Sequence, residues 1–396
     1  MTNNNLNFGY EKKPVPGYFL KMGAILAGIG IILIILSLFV DPVRSSFNSL
    51  IMFAFMISIA LGSIFLIALE YIAGAVWSVP FRRVLEGIGL IIFVVPIFAI
   101  PVLLNIHTLF SWTHPEVIAT DSILKNKAPY LNTTFFYVRL VAFFALWFLF
   151  YYLFTSNSKK QDATGNQALT KRNIKLAAAF LPVFAITISL TAIDWLMALS
   201  PHWFSTIFAV YYFAGSVLAA LSIWAIISIT LNENGILVKG LKSDHYYSFG
   251  ALLFAFINFW AYIAFSQFML IWYANLPEET FWYIARGTGS WMYFSIGMIV
   301  VHFIVPYIFL LPQPAKMDPK RVKWAAIWIL FAHFYDLYWI VMPTLDKNGL
   351  SVSWMDFAYL IFGIGLIFVV FSLWSKNRNL VPIGDPKMKQ SMEFEL

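Results

Sequence analysis

The chain contains no cysteine. That absence excludes disulfides, cysteine-ligated iron–sulfur clusters, haem attached through Cys-x-x-Cys-His and thiol catalysis together. Charge is scarce as well. Asp, Glu, Lys and Arg make up 11% of the 396 residues, where a soluble domain carries about a quarter. Apolar residues fill the gap, at 61% and a mean hydropathy of +0.78. No soluble packing hides that much apolar surface, so the bilayer is the solvent. The formal net charge of +7 would otherwise suggest a nucleic-acid partner; in a chain this apolar it points to loops that hold a cytoplasmic orientation. Histidine is limited to six residues. His107, His114, His202 and His245 fall at span ends or in loops, which leaves His302 and His333 unpaired with any second set, and a b-type haem stack is not expected. No metal site, dinucleotide fingerprint or P-loop is visible. Gly28–Ile29–Gly30 and Gly363–Ile364–Gly365 lie within apolar runs, where glycine permits close helix packing.

A bilayer core about 30 Å thick needs about 20 apolar residues in a helix. Ten windows qualify: 18–40, 47–72, 84–106, 134–154, 174–199, 204–231, 247–272, 287–311, 322–342 and 354–375. The runs are continuous rather than alternating, which predicts helices and not barrel strands. The start, MTNNNLNFGYEKKPVPGYFL, is polar for too long to be a signal peptide. The amino terminus, the alternate loops that follow it and the carboxyl tail carry 20 of the 26 Lys and Arg. Lys/Arg-rich loops stay cytoplasmic, so both termini are expected inside, as an even number of spans requires. This divides the chain into a cytoplasmic segment 1–17, a membrane domain 18–375 and a cytoplasmic tail 376–396. The opposite side is aromatic, with Trp112, Trp203, Trp272, Trp282, Trp291 and Trp354 near span ends. They form either an interfacial belt or a docking surface, and the longest loop there runs from His107 to Thr133.

Ionisable groups inside the spans are costly and therefore informative. Asp194 and Asp336 each stand seven residues before a proline that closes the span, about 10 Å of helix, and His333 lies one turn before Asp336. His302 falls in the eighth span, Glu70 and Glu86 at the inner ends of the second and third, and Asn258, Tyr262 and Gln267 along the seventh. A proton relay can be drawn with Glu70 and Glu86 as an inner entrance and Asp194, His333 and Asp336 as an outer half. The alternative is structural: an intramembrane Asp holding helices through hydrogen bonds to Trp, Tyr or Ser. The matching Asp-to-Pro spacing in spans five and nine further suggests that spans two to five and six to nine are repeats.

The run Ala192-Ile193-Asp194-Trp195-Leu196-Met197-Ala198-Leu199-Ser200-Pro201-His202-Trp203-Phe204-Ser205-Thr206, continued by Tyr211-Tyr212-Phe213-Ala214-Gly215-Ser216, resembles the NrfD/PsrC-like membrane subunits of bacterial alternative complex III, and in length the smaller of its two paralogues. The resemblance implies two four-helix bundles, about 47–199 and 204–342, with a flanking helix at each end. It implies a subunit of a quinol:cytochrome c or quinol:oxidase oxidoreductase in the inner membrane, with no redox cofactor of its own. Haem c and iron–sulfur clusters would sit in partner subunits, beside an NrfD-like paralogue and a terminal oxidase. Asp194 falls in the family run and becomes the first candidate for a proton-conducting or quinone-side carboxylate. His107 and Arg139 are further candidates should menaquinol bind here. Direct menaquinol oxidation, proton-coupled secondary transport and a purely structural anchor remain the alternatives.

Overall fold

The computed structural model describes residues 10–396, so residues 1–9 of the expected N-terminal segment lie outside it. Those described residues are all-α, without a strand. Ten helices are long and apolar enough to span a membrane: α1 Gly17–Val40, α2 Pro42–Ala73, α3 Val79–Leu104, α4 Thr133–Thr164, α5 Ala168–Leu199, α6 Phe208–Glu233, α7 Ser243–Ala274, α8 Gly289–Leu310, α9 Pro319–Thr344 and α10 Met355–Ser375. All ten expected windows are found. The largest differences are at α4 and α5, which run nearly three turns and nearly two turns further toward each other than hydropathy indicates. Hydropathy registers where lipid ends, whereas helical hydrogen bonding continues through the polar segment SNSKKQDAT.

Local chemistry sets the ends. Asp41 accepts from the Arg44 amide at 2.9 Å, with Pro42 at the first helical position of α2. Asn132 caps α4 through the Phe135 amide at 2.8 Å, and Asp318 caps α9 through the Lys320 amide at 2.9 Å. Such caps satisfy amides that a helix start leaves open. Gly74 and Gly165, at φ 65° and 66°, close α2 and α4 in the left-handed region that glycine enters without penalty.

Helices α2 and α6 are the two most buried spans and pack against each other at the centre. Their seam is built from small residues: Gly62 faces the Ser216 carbonyl and Ala220, and Ser216 Oγ donates to Ser58 Oγ at 3.2 Å. The Tyr212 hydroxyl donates to the Ala54 carbonyl at 2.7 Å. Helices α3, α4 and α5 complete one bundle around α2, and α7, α8 and α9 complete the other around α6. Helices α1 and α10 flank them, packed mainly on each other.

Two polar clamps hold the ends of the assembly. At the face carrying the α9–α10 connection, Arg44 Nε donates to Asp356 at 2.7 Å and Arg44 Nη1 to Asp346 at 3.1 Å. The Tyr338 hydroxyl joins Asp356 at 3.0 Å, so one arginine ties α2, α9 and α10. At the opposite face, residues 376–396 fold back over the helix ends. Tyr10 accepts from the Leu380 amide at 2.8 Å, Lys387 reaches the Gly74 carbonyl at 2.5 Å, and His245 reaches the Ser391 carbonyl at 3.0 Å.

The α1–α10 contact depends on glycine. A Cβ on Gly30 would lie 2.5 Å from the Phe362 backbone, whereas one on Gly28 would meet nothing within 4 Å. Gly30→Leu is therefore expected to destabilise the detergent-solubilised protein by about 1–3 kcal/mol, the usual range for overpacking, and Gly28→Leu to leave it unchanged. Equal melting temperatures for the two variants would refute close packing at this seam.

Candidate functional site

The two intramembrane aspartates occupy different environments. In α5 the helix widens into a π-helical turn over Ala192–Leu196 before tightening through Met197–Leu199. Such turns insert one extra residue per cycle and recur at functional sites. Here the turn presents Asp194 to Arg139 of α4. Arg139 Nε donates to Oδ2 at 2.7 Å and Nη2 to Oδ1 at 3.0 Å. Nη1 binds the Tyr130 carbonyl at 3.0 Å, and the guanidinium lies 4.0 Å from the Tyr130 ring and 4.4 Å from that of Phe135. This is a bidentate pair, the strongest form of such a contact. Its charges cancel locally.

Helix α8 carries a second π-helical turn, Ile299–Ile304, around His302. Helix α9 supplies His333 and Asp336 one turn apart. All three side chains are buried. The Tyr211 hydroxyl donates to Asp336 Oδ1, and Trp260 Nε1 donates to Oδ2 at 3.2 Å. Among the described residues no Lys or Arg lies within ion-pair distance of this carboxylate. His302 stacks on Trp260 with ring centres 3.6 Å apart. His333 pairs through Nε2 with Ser58 Oγ at 3.0 Å. Among the described residues, both nitrogens of His302 and Nδ1 of His333 have no hydrogen-bond partner. A Cβ on Gly215 would lie 2.8 Å from His333 Cε1, so glycine is what admits the imidazole.

The donor atoms of His302, His333 and Asp336 lie within 4.8 Å of one another. Three groups are fewer than the four that close a structural metal site, though as many as hold a catalytic one, and each Asp336 oxygen already accepts one hydrogen bond. Two imidazoles beside a carboxylate that has no cationic partner are groups that can share a proton. Toward the tail-covered face, Ser58 and Ser216 continue the polar line, and the buried hydroxyls of Ser222 and Ser228 lie further along α6.

Glu70 and Glu86 come close to the polar tail but are not free carboxylates. Glu70 accepts from Arg82 Nε at 2.7 Å, and Arg82 also binds Asp385 of the tail. Glu86 accepts from Arg83 at 2.6 Å, and Arg83 binds Asp162 at 2.6 Å. His107 bonds within its own loop, to Thr113 at 3.0 Å, with His114 on its carbonyl at 2.7 Å. It therefore adds no free polar group to Arg139 and Asp194. Asn258 bonds the Phe254 carbonyl of its own helix at 2.7 Å, and Tyr262 faces outward, 67% exposed. Gln267 donates to the Tyr283 hydroxyl at 3.1 Å.

A cavity of about 590 Å³ opens beside the second cluster. Tyr211 and Trp260, the two donors to Asp336, form part of its wall, with Gln267, Tyr283, Arg286 and Trp339. Sequence reasoning singled out neither Trp260 nor Arg286. Burial without a carboxylate partner pulls the Arg286 pKa down, to about 9, which leaves it charged at neutral pH. The signal available was that Arg286 is one of few basic residues on its side of the chain.

No family model matches this chain, and no curated protein matches it. The class that fold and site define is a multi-pass helical membrane protein with a buried cluster of two histidines and an aspartate.

Removing Arg139 while keeping Asp194 leaves an unpaired buried charge. Arg139→Gln should destabilise the protein by about 3–5 kcal/mol, and adding Asp194→Asn should recover most of the loss. Denaturation of the single and double variants checks this; a double variant as unstable as the single would contradict a charge-pairing role.

Proposed function

We propose that this chain is a membrane subunit of a quinol:cytochrome c or quinol:oxidase oxidoreductase of the bacterial inner membrane, carrying no redox cofactor and providing a proton path and an assembly scaffold. The observation that carries the proton role is Asp336, buried without a counter-ion and surrounded by Tyr211, Trp260, His302 and His333. Intramembrane carboxylates next to histidines are the usual components of proton relays. The membrane setting is supported by the ten spans, and the membership in an alternative complex III-like assembly by the Asp194–Thr206 run. The basic loops favour cytoplasmic termini.

In this reading the two halves differ in task. Asp194 and Arg139 lock the first bundle. Asp336 exchanges protons with His302 and His333, and Ser58 and Ser216 extend the route toward the tail-covered face. The Glu70–Arg82–Asp385 and Glu86–Arg83–Asp162 groups bound the cytoplasmic end. Haem c and iron–sulfur centres belong to partner subunits.

Mild-detergent purification of the tagged protein should bring down subunits with a haem c spectrum and an iron–sulfur protein. In proteoliposomes of that complex, Asp336→Asn should lower protons moved per electron at least tenfold while Asp194→Asn retains them. A colourless protein that purifies alone would remove the complex. Unchanged proton movement in Asp336→Asn would remove the relay.

A further inference from the structure

Five buried arginines can be compared directly. Arg44 pairs with Asp346 and Asp356, Arg82 with Glu70 and Asp385, Arg83 with Glu86 and Asp162, and Arg139 with Asp194. Arg286 is as buried, 3% exposed, yet its hydrogen-bond partners are neutral. Nε donates to the Trp339 carbonyl at 3.1 Å, Nη1 to Trp282 at 2.9 Å and Nη2 to Ile340 at 2.6 Å. The guanidinium lies 3.4 Å from the Trp282 ring centre. A guanidinium has five N–H groups, so two remain, one on each Nη. Buried charges in proteins are paired, and this one lines the cavity instead.

We infer that the cavity beside Arg286 holds one anionic phospholipid, taken sideways from the bilayer, with its phosphate on the Arg286 guanidinium. Three features fit that occupant. The missing counter-charge is negative, and a phosphate accepts from both free Nη–H groups. Gln267, 3% exposed, presents an unpartnered Oε1, which calls for a hydroxyl donor such as the glycerol of phosphatidylglycerol. The rim is hydrocarbon and open to lipid: Phe265, Ile296 and Ile299 line the cavity and are 62%, 54% and 54% exposed. A volume of about 590 Å³ falls within the range of small-molecule sites, room for the headgroup and the start of the acyl chains, with the rest lying along the open rim. The phosphate would sit across Tyr211 from Asp336, and this assignment does not rest on the proton reading.

The test uses purified full-length protein, stripped of lipid by detergent washing and incubated separately with phosphatidylglycerol, phosphatidylcholine and oleate. Native mass spectrometry then counts lipid retained per chain. One phosphatidylglycerol is expected, with phosphatidylcholine and oleate retained at least tenfold less. Ala264→Trp, which fills the cavity wall, should lower phosphatidylglycerol retention at least tenfold with unchanged elution and helical circular dichroism. Arg286→Gln should abolish the preference over phosphatidylcholine. Asp336→Asn should bind lipid as the natural protein does, which separates this outcome from a failure of the relay. Equal retention of phosphatidylglycerol and phosphatidylcholine, full retention in the folded Ala264→Trp variant, or oleate binding in place of phospholipid would each overturn the assignment.

Discussion

In hydrocarbon a charge that is not neutralised nearby costs several kcal/mol, and that constraint organises this protein more than helix propensity does. Four of its buried arginines meet carboxylates from other helices, connectors or the tail. Arg44 ties α2 to α10, Arg82 ties the start of α3 to the tail, Arg83 ties it to α4, and Arg139 ties α4 to α5. Lipid tails supply no hydrophobic drive for helix association, so helices rely on close packing and polar contacts. The small-residue seams at α2–α6 and α1–α10 supply the packing, and the ion pairs fix which ends meet.

Against that background two departures stand out. The two bundles place an aspartate at matching positions in α5 and α9 but neutralise it differently. Asp194 receives a guanidinium in a fixed fork. Asp336 receives only a hydroxyl, an indole N–H and two imidazoles with unbonded nitrogens. The first arrangement holds its charges in place; in the proposed function the second lets a proton pass among three groups. Asp194 and His302 sit on π-helical turns, whereas His333 and Asp336 lie one turn apart on regular α-helix. Arg286 is the complementary departure, a buried cation next to a cavity rather than a carboxylate.

Much of this was legible in the sequence because hydropathy is a local property. Ten apolar runs gave ten spans, and the loss of the period at Pro201 and Pro343 marked two span ends. Asp194, His302, His333 and Asp336 could be singled out because each interrupts an apolar run. Which residues meet them could not be read, even for Arg139, itself a candidate. Arg139 lies 55 residues before Asp194, Tyr211 lies 125 before Asp336, and Arg44 lies 312 before Asp356. Only the packing of the bundles decides those meetings. Tyr211 and Trp260 look like any other aromatic in a chain with 19% aromatics. The inner carboxylates Glu70 and Glu86 read as an open entrance, and the arginines that bind them, Arg82 and Arg83, read only as orientation signals. The tail that brings Asp385 to Arg82 carries no pattern that reveals its return to the membrane domain.

The central claim is that Asp336 exchanges its proton while Asp194 is locked in a bidentate pair with Arg139. Infrared difference spectroscopy after a pH jump reports protonated carboxyl groups through their C=O stretch, and it can be recorded on the membrane-reconstituted protein. A carboxyl band that responds to the jump in the natural protein and in Asp194→Asn, and disappears in Asp336→Asn, is the predicted result. A band that survives in Asp336→Asn and disappears in Asp194→Asn would contradict it and move the relay to the first bundle.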